Sequence, residues 1–387
     1  MKKKIFFIVW GNPKFYQTLV SLSKYLSQKN YKVYIFAQKI NTKHDIIENI
    51  DFGRHSKILY HPLHCSYFPN LFNFFTFIIY SLFLLLKFKP DNTVLFNQHA
   101  LFCAPLIKLF KKKGHKIIYH NFDFDLLSNL KTIREKLLRF FEIYLSSICD
   151  YLIFPTISRA KFFKKDSNIL NTELLEFKNC FSKSFSPKKL TKFETFLKKN
   201  NLHNKRIICH LGTISSGHFI TNIIKSARYI NNNYIVVIAG TVRNGYDVRL
   251  NELINKFNLS NKVFLFTNVK NSHWYEILFK SDLGLCFYED INLSHNHMSG
   301  TSQKFNNYVF ANKPMIVNNN NDFLSFKKKF DIFDVVNPND SKKIALKINF
   351  LLTNKARYYK IKKNLKICFL NELNFEVQFK KSYETFL

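Results

Sequence analysis

Short apolar runs recur along the chain, each closed by a glycine or a polar turn and then followed by a segment whose apolar positions fall three and four apart. Ile5-Phe6-Phe7-Ile8-Val9-Trp10 ends at Gly11, residues 15–28 place Leu19, Leu22, Tyr25 and Leu26 on one helical face, and 31–37 is apolar again. Strand, glycine turn, helix, strand is a βαβ unit, which predicts a parallel sheet covered by helices. Ligands of such sheets sit beyond the carboxyl ends of the strands, so Gly11 is placed at the rim of a cleft. Further strands are predicted at 93–97, 117–120 and 150–154. The pattern restarts at 206–211 and continues through 234–240, 263–266, 281–288 and 315–317.

Two stretches do not fit the strand rhythm. Residues 71–88 are almost wholly apolar but are interrupted by Asn73, Thr76, Ser81 and Lys87. They read as a buried helix in preference to a membrane span, with membrane contact along an exposed apolar face left open. Residues 126–147 read as a long amphipathic helix with Lys131, Arg134, Lys136 and Arg139 at its polar positions, a solvated face or one that docks on an anionic bilayer. Around 186–205 strand periodicity is lost and lysines accumulate, which marks a linker. The expected organisation is an N-terminal domain over 1–185, a linker over 186–205, a C-terminal domain over 206–365 and a final helix over 366–387 that crosses back to the first domain.

Candidate chemistry gathers at the predicted strand tips. Residues 298–317 read as loop, helix and buried strand: Gly300 opens the loop, Thr301 or Ser302 caps the helix, Lys304 lies in its first turn, and Pro314 follows its end. A helix N-terminus offers unpaired N–H groups and about half a positive charge, which suits a diphosphate. Gly212 and Thr213 begin a small-residue turn after 206–211 that lets backbone amides approach a phosphate; Gly240 and Arg243 turn the strand 234–240. In the first half, His120, Asp123 and Asp125 leave a strand tip together, a set suited to bonding sugar hydroxyls or moving a proton. For each carboxylate taken singly, capping of the next helix is an equal alternative.

The string Ser302-Gln303-Lys304-Phe305-Asn306-Asn307-Tyr308, followed by Ala311-Asn312-Lys313-Pro314-Met315-Ile316-Val317, resembles the P-S-K-L-F-E-Y-x-A-x-G-K-P-V-I segment of GT-B-type glycosyltransferases, especially the retaining group 4 branch. Weaker matches in the right order surround it, among them Lys89-Pro90-Asp91, Asp150 to Thr156, Tyr234 to Gly240 and Asp282 to Tyr288. The resemblance implies two Rossmann-like α/β domains facing a cleft, with the nucleotide sugar held mainly by the second. It implies that Thr301, Ser302, Gln303 and Lys304 meet the donor diphosphate and that Val269 lies in the base-binding turn. Asn307 stands where the family has the glutamate that holds the ribose; it can hydrogen-bond a hydroxyl but lacks the charge that strengthens such bonds. Asn312 replaces a family glycine.

With 387 residues the chain is long enough for two domains, and its 47% hydrophobic content excludes wholesale disorder. Its formal charge of +33, from 59 basic against 26 acidic side chains, attracts phosphates, nucleic acid or an anionic membrane face. The lysines are spread along the chain without a recognisable nucleic-acid module, so nucleic acid is not the expected partner. Seven dispersed cysteines without a C-x-x-C pair argue against zinc or a disulfide scaffold and for a reducing compartment. The expectation is therefore a glycosyltransferase, cytoplasmic or peripheral on the inner face of the membrane. It would move a sugar from a nucleotide sugar to a surface-glycan or lipid-linked acceptor, with no metal and no cofactor beyond that donor, and, from the resemblance, with retention. The alternatives are a nucleotide-sugar epimerase of the same architecture, a basic nucleic-acid-binding protein, and an inactive transferase fold serving as an assembly partner.

Overall fold

The computed structural model describes residues 2–38, 50–63, 71–124, 126–167, 172–187, 190–243, 245–290 and 293–387, the side chains of 271, 293 and 294 excepted. The apolar runs of the first half pair side by side as β1 (Lys4–Val9), β2 (Lys32–Ala37), β3 (Ser56–Tyr60), β4 (Asn92–Phe96), β5 (Lys116–His120), β6 (Tyr151–Phe154) and β7 (Glu173–Glu176). Their order is β3-β2-β1-β4-β5-β6-β7 and every pairing is parallel. Phe7 lies level with Ile35 on one side and Val94 on the other, and all three are fully buried. Strands so flanked must be covered on both faces, which is why the runs are continuous and not alternating.

The second half repeats the scheme with β8 (Arg206–Leu211), β9 (Tyr234–Gly240), β10 (Val263–Thr267), β11 (Leu283–Cys286), β12 (Met315–Asn318) and β13 (Asp334–Val336), in the order β10-β9-β8-β11-β12-β13. In both sheets the chain first winds outward from a central strand and then returns to that strand's other side. Connections therefore diverge above β1/β4 in one sheet and above β8/β11 in the other, and a crevice at such a switch point is where a doubly wound sheet binds ligands.

Contacts divide the chain into two units, the first running through Asn179 and including Phe375–Leu387, the second spanning Cys180–Asn374. In the first unit the helix Phe375–Ser382 buries Phe375 and Phe379 against Tyr25, and Gln378 accepts a hydrogen bond from the backbone of Lys178 at 3.0 Å. In the second unit the lysine-rich segment contains the helix Lys192–Lys199, whose first amides, on Phe193 and Glu194, donate to Glu276 at 2.9 and 3.0 Å.

Two helices differ from expectation. Leu71–Phe88 is a helix but not a buried one: only Phe77, Ser81, Leu84 and Leu85 are buried, while Phe72, Phe75 and Ile79 are exposed. Overall hydropathy reports how apolar a helix is, not how much of it meets the sheet. The amphipathic helix is shorter than 126–147, spanning Ile133–Ser146, because Thr132 and Glu135 close a capping box at its start. Its Arg139 is not on a solvated face. It is 2% exposed, pairs with Glu142 at 2.9 Å and Asp166 at 3.1 Å, and lies over the rings of Phe124 and Phe163. A guanidinium can be sunk this way because its planar face is weakly hydrated and stacks on aromatics.

Candidate functional site

The helix Gln303–Phe310 delivers its N-terminus to the carboxyl edge of the second sheet because the sheet makes room for it. Gly284 in β11 has no side chain where a Cβ would come within 2.7 Å of the Tyr308 ring, and the Tyr308 hydroxyl donates to the carbonyl of Cys209 at 2.9 Å. Phe305, Tyr308 and Val309 are buried in the same core. Ser302 is the cap, accepting from the amide of Phe305 at 3.2 Å, while Thr301 donates to the carbonyl of His297 at 2.9 Å and so shapes the preceding loop. Asn306 donates to the carbonyl of Gly300 at 2.9 Å. Gly300 takes φ of 72°, a conformation that costs glycine little.

Lys304 is 6% exposed, and its ammonium has no hydrogen-bond acceptor among the described residues. It sits 4.7 Å from the centroid of the Tyr288 ring, a contact that compensates only part of the lost hydration. Burial pushes its pKa down to about 8. Tyr288 is itself fixed: its amide donates to Asn318 at 2.9 Å, Asn318 donates back to its carbonyl at 2.7 Å, and its hydroxyl bonds Ser302. Asn307 is fully buried and neither end of its amide has a partner among the described residues. A cation and an amide left unsatisfied inside a folded chain are costly, and a ligand that satisfies both removes that cost.

Across the crevice, Gly212 takes φ of 132° and faces the Lys304 stem, 3.3 Å from where a Cβ would stand. Gly240 lies so close to it that a Cβ would come within 1.5 Å of the Gly212 carbonyl oxygen. Beyond them Ile214 bridges to Val242, and the amide of exposed Arg243 donates to Ile214 at 3.2 Å. Thr213 and Val269 are half-buried and Gln303 is exposed. His218 bonds Ser215 at 3.0 Å and packs its ring near His210, Tyr288 and His295. Burial first, then the charges of Lys304, His295 and Arg243, push its pKa down to about 2. His210, fully buried at the end of β8, is lowered for the same leading reason. The groups converging here are cationic or neutral donors, an arrangement suited to a multiply charged anion.

No family model matches the sequence, and no curated protein does. Solved structures do match. The fold is similar to that of Anabaena HepE in complex with UDP and glucose, at a TM-score of 0.73 over 99% of each chain with 12% identity. It is also similar to a glycosyltransferase from Rickettsia africae ESF-5, at 0.72 over 100% of this chain and 98% of that one with 14% identity. Sucrose-phosphate synthase from Thermosynechococcus elongatus matches at 0.70 over 100% and 98% with 13% identity. The chain has the GT-B glycosyltransferase fold.

Within this GT-B fold, the structure brings Gly212, Thr213, Gly240, Arg243, Thr301, Ser302, Gln303, Lys304 and Asn307 to one unit's sheet edge, while Gly11, His120 and Asp123 lie in the other unit. There Gly11 takes φ of 137° and Asn97 takes φ of 71°, donating to the carbonyl of Trp10 and the hydroxyl of Tyr16, both at 3.0 Å. His120 is 1% exposed, stacked against Phe96 and Phe122, and bonded through Nδ1 to Tyr383 at 2.9 Å. Burial pushes it down to about 3, so its ring is neutral at ordinary pH. Asp123 is exposed and lies 3.6 Å from Arg159. Asp125 lies outside the described residues. Periodicity and motif spacing do not single out Tyr288, Asn318, His210 and His295. The only signal was a polar residue within or just after an apolar run.

A pH dependence follows from Lys304. A diphosphate bound at Lys304 would require the charged ammonium, whereas in the free protein burial holds its pKa near 8. Above pH 8 binding must therefore take up a proton. Affinity for a nucleotide-sugar diester, which has no titrating phosphate of its own, should fall by up to about tenfold per pH unit there. Titration calorimetry between pH 7 and 10 measures this, and His218→Gln should leave the profile unchanged because His218 is already neutral throughout.

Proposed function

We propose that the protein is a glycosyltransferase that moves a hexose-type sugar from a nucleotide sugar to a surface-glycan or lipid-linked acceptor. The observation that carries the reading is the buried ammonium of Lys304, without an acceptor among the described residues, at the capped start of Gln303–Phe310, above the β8/β11 switch point. A donor diphosphate would satisfy it, and the same charge would stabilise the diphosphate as it leaves, so binding and bond cleavage use one group. Asn307, one turn further along and still inward-facing, offers an amide donor and acceptor to the ribose hydroxyls. The similarity to structures holding UDP and UDP-glucose supports a uridine nucleotide as the first donor to try.

Lys304 and the helix N-terminus would do the work of a divalent ion, so transfer should persist in a chelator; that the product should keep the donor's anomeric configuration rests on the resemblance to the retaining branch alone. On the acceptor side the exposed carboxylate of Asp123 would face the acceptor.

The test is a thermal-shift screen of the full chain against UDP, GDP, ADP and CMP sugars, followed by transfer assays with the donor that binds. A donor at a hundred times its Kd should add about 2.7 kcal/mol of stability, and sugar should then appear on an acceptor. If none of these nucleotides shifts unfolding, the reading is wrong. Epimerised free donor without transfer would point to an epimerase instead.

A further inference from the structure

In the first unit, the right-handed crossovers from β3 to β4, β4 to β5 and β5 to β6 all travel in one direction across the sheet, which puts their helices on the same side. These helices are Leu71–Phe88, Ala104–Phe110 and Ile133–Ser146. The turn Ala100–Cys103 joins them, with Phe102 between Phe74 and Phe141 at 5.1 and 5.7 Å. What the first helix does not bury against Trp10 and Phe36 it turns outward: Phe72, Phe75, Ile79 and Phe83 follow helical spacing and are all more than half exposed. The third helix does the same with Ile133, Leu137, Phe140 and Tyr144, and Leu109 of the second is 73% exposed. Apolar side chains grouped in this way on neighbouring helices are unlike the singly scattered apolar exposure of an ordinary surface.

Leu71–Phe88 is long and apolar enough to cross a membrane by composition, but Phe77, Ser81, Leu84 and Leu85 hold it flat on the sheet. Its exposed stripe is therefore presented sideways, as in a helix lying in a bilayer interface.

The charges around the patch select the occupant. Lys87, Lys89, Lys108, Lys113, Lys131 and Lys136 are exposed on or beside these helices. Residues 71–89, 104–113 and 131–147 hold two carboxylates, Glu135 and Glu142. Glu142 is buried against Arg139, and Glu135 is engaged in the capping box with Thr132. A second copy of the chain would bring the same positive rim to face this one. An anionic surface meets it with opposite charge. We propose that this face docks on an anionic lipid bilayer, with the exposed aromatic and aliphatic side chains entering the headgroup boundary and the lysines meeting lipid phosphates.

The proposal does not depend on the donor site and is tested apart from it. Full-length protein is sedimented with vesicles of phosphatidylcholine alone or mixed with phosphatidylglycerol, at low and high salt. Binding should be at least about tenfold stronger to the mixed vesicles and should weaken with salt. Two variant sets are compared, Phe72→Ser with Phe75→Ser and Phe140→Ser, and Lys131→Glu with Lys136→Glu. Each should lower partitioning about tenfold or more while leaving nucleotide-sugar binding and thermal unfolding unchanged, because the altered side chains are exposed. Equal binding to both vesicle types, or variants that partition like the parent, would overturn it. So would a dimer in lipid-free sedimentation that the same substitutions dissolve, which would assign the face to a protein contact.

Discussion

Lys304→Met should make the protein more stable and, at once, unable to hold the nucleotide sugar proposed as its donor. At neutral pH the free chain carries a charged ammonium that is 6% exposed, lies over the Tyr288 ring and has no hydrogen-bond acceptor among the described residues. Its pKa of about 8 lies below the 10.5 of an exposed lysine. The unfolded chain therefore binds more protons between these values, so this group's contribution to stability rises with pH through that window and is at its worst below it. Methionine fills similar space without a charge and should relieve about 1–3 kcal/mol, seen as a higher unfolding temperature at pH 7 and no gain at pH 11. Donor affinity should fall by at least about a hundredfold, as expected for removing a buried charge-assisted bond to phosphate. A variant that loses stability, or one that keeps its affinity, contradicts the picture of Lys304 as a group held ready for an anion.

Gly240→Ala should be the most damaging single methyl group in the second unit. The added carbon would stand 1.5 Å from the Gly212 carbonyl oxygen, and because that obstacle is backbone it cannot swing away. The tips of β8 and β9 would have to part, which moves the turn at Gly212 as well. A cost of about 3 kcal/mol or more is expected, lowering the unfolding temperature of that unit by roughly 10 °C. Gly114→Ala is the control: its φ of +82° strains an alanine, but nothing lies within 4 Å of the new carbon. That change should cost only about 1 kcal/mol, and thermal scans of both variants beside the parent make the comparison.

Much of this architecture is legible in the chain because its signals are local. Continuous apolar runs such as Ile5 to Trp10 and Tyr234 to Gly240, closed by glycine, read as strands covered on both faces, and Thr301 or Ser302 before Lys304 and Phe305 marks a helix start, of which Ser302 is the cap. What was not legible depends on which distant segments meet. Nothing near Arg139 says that Phe124, Phe163 and Asp166 will enclose it. His120 sits where a strand tip should open, yet Tyr383, 263 residues away in sequence, covers it. The outward stripe on Leu71–Phe88 is hidden for a related reason: when nearly every residue of a helix is apolar, periodicity cannot say which face the sheet takes. At the carboxyl edge of the second sheet, Tyr288 and Asn318 act as a pair only because β11 and β12 are neighbours.

The most direct measurement is a crystal structure of the protein with UDP bound. The account predicts diphosphate oxygens within hydrogen-bonding reach of Lys304 Nζ and of the first-turn amides of Gln303–Phe310, with the ribose over Asn307. A nucleotide seated elsewhere, or Lys304 still packed on Tyr288 with no phosphate beside it, would contradict it.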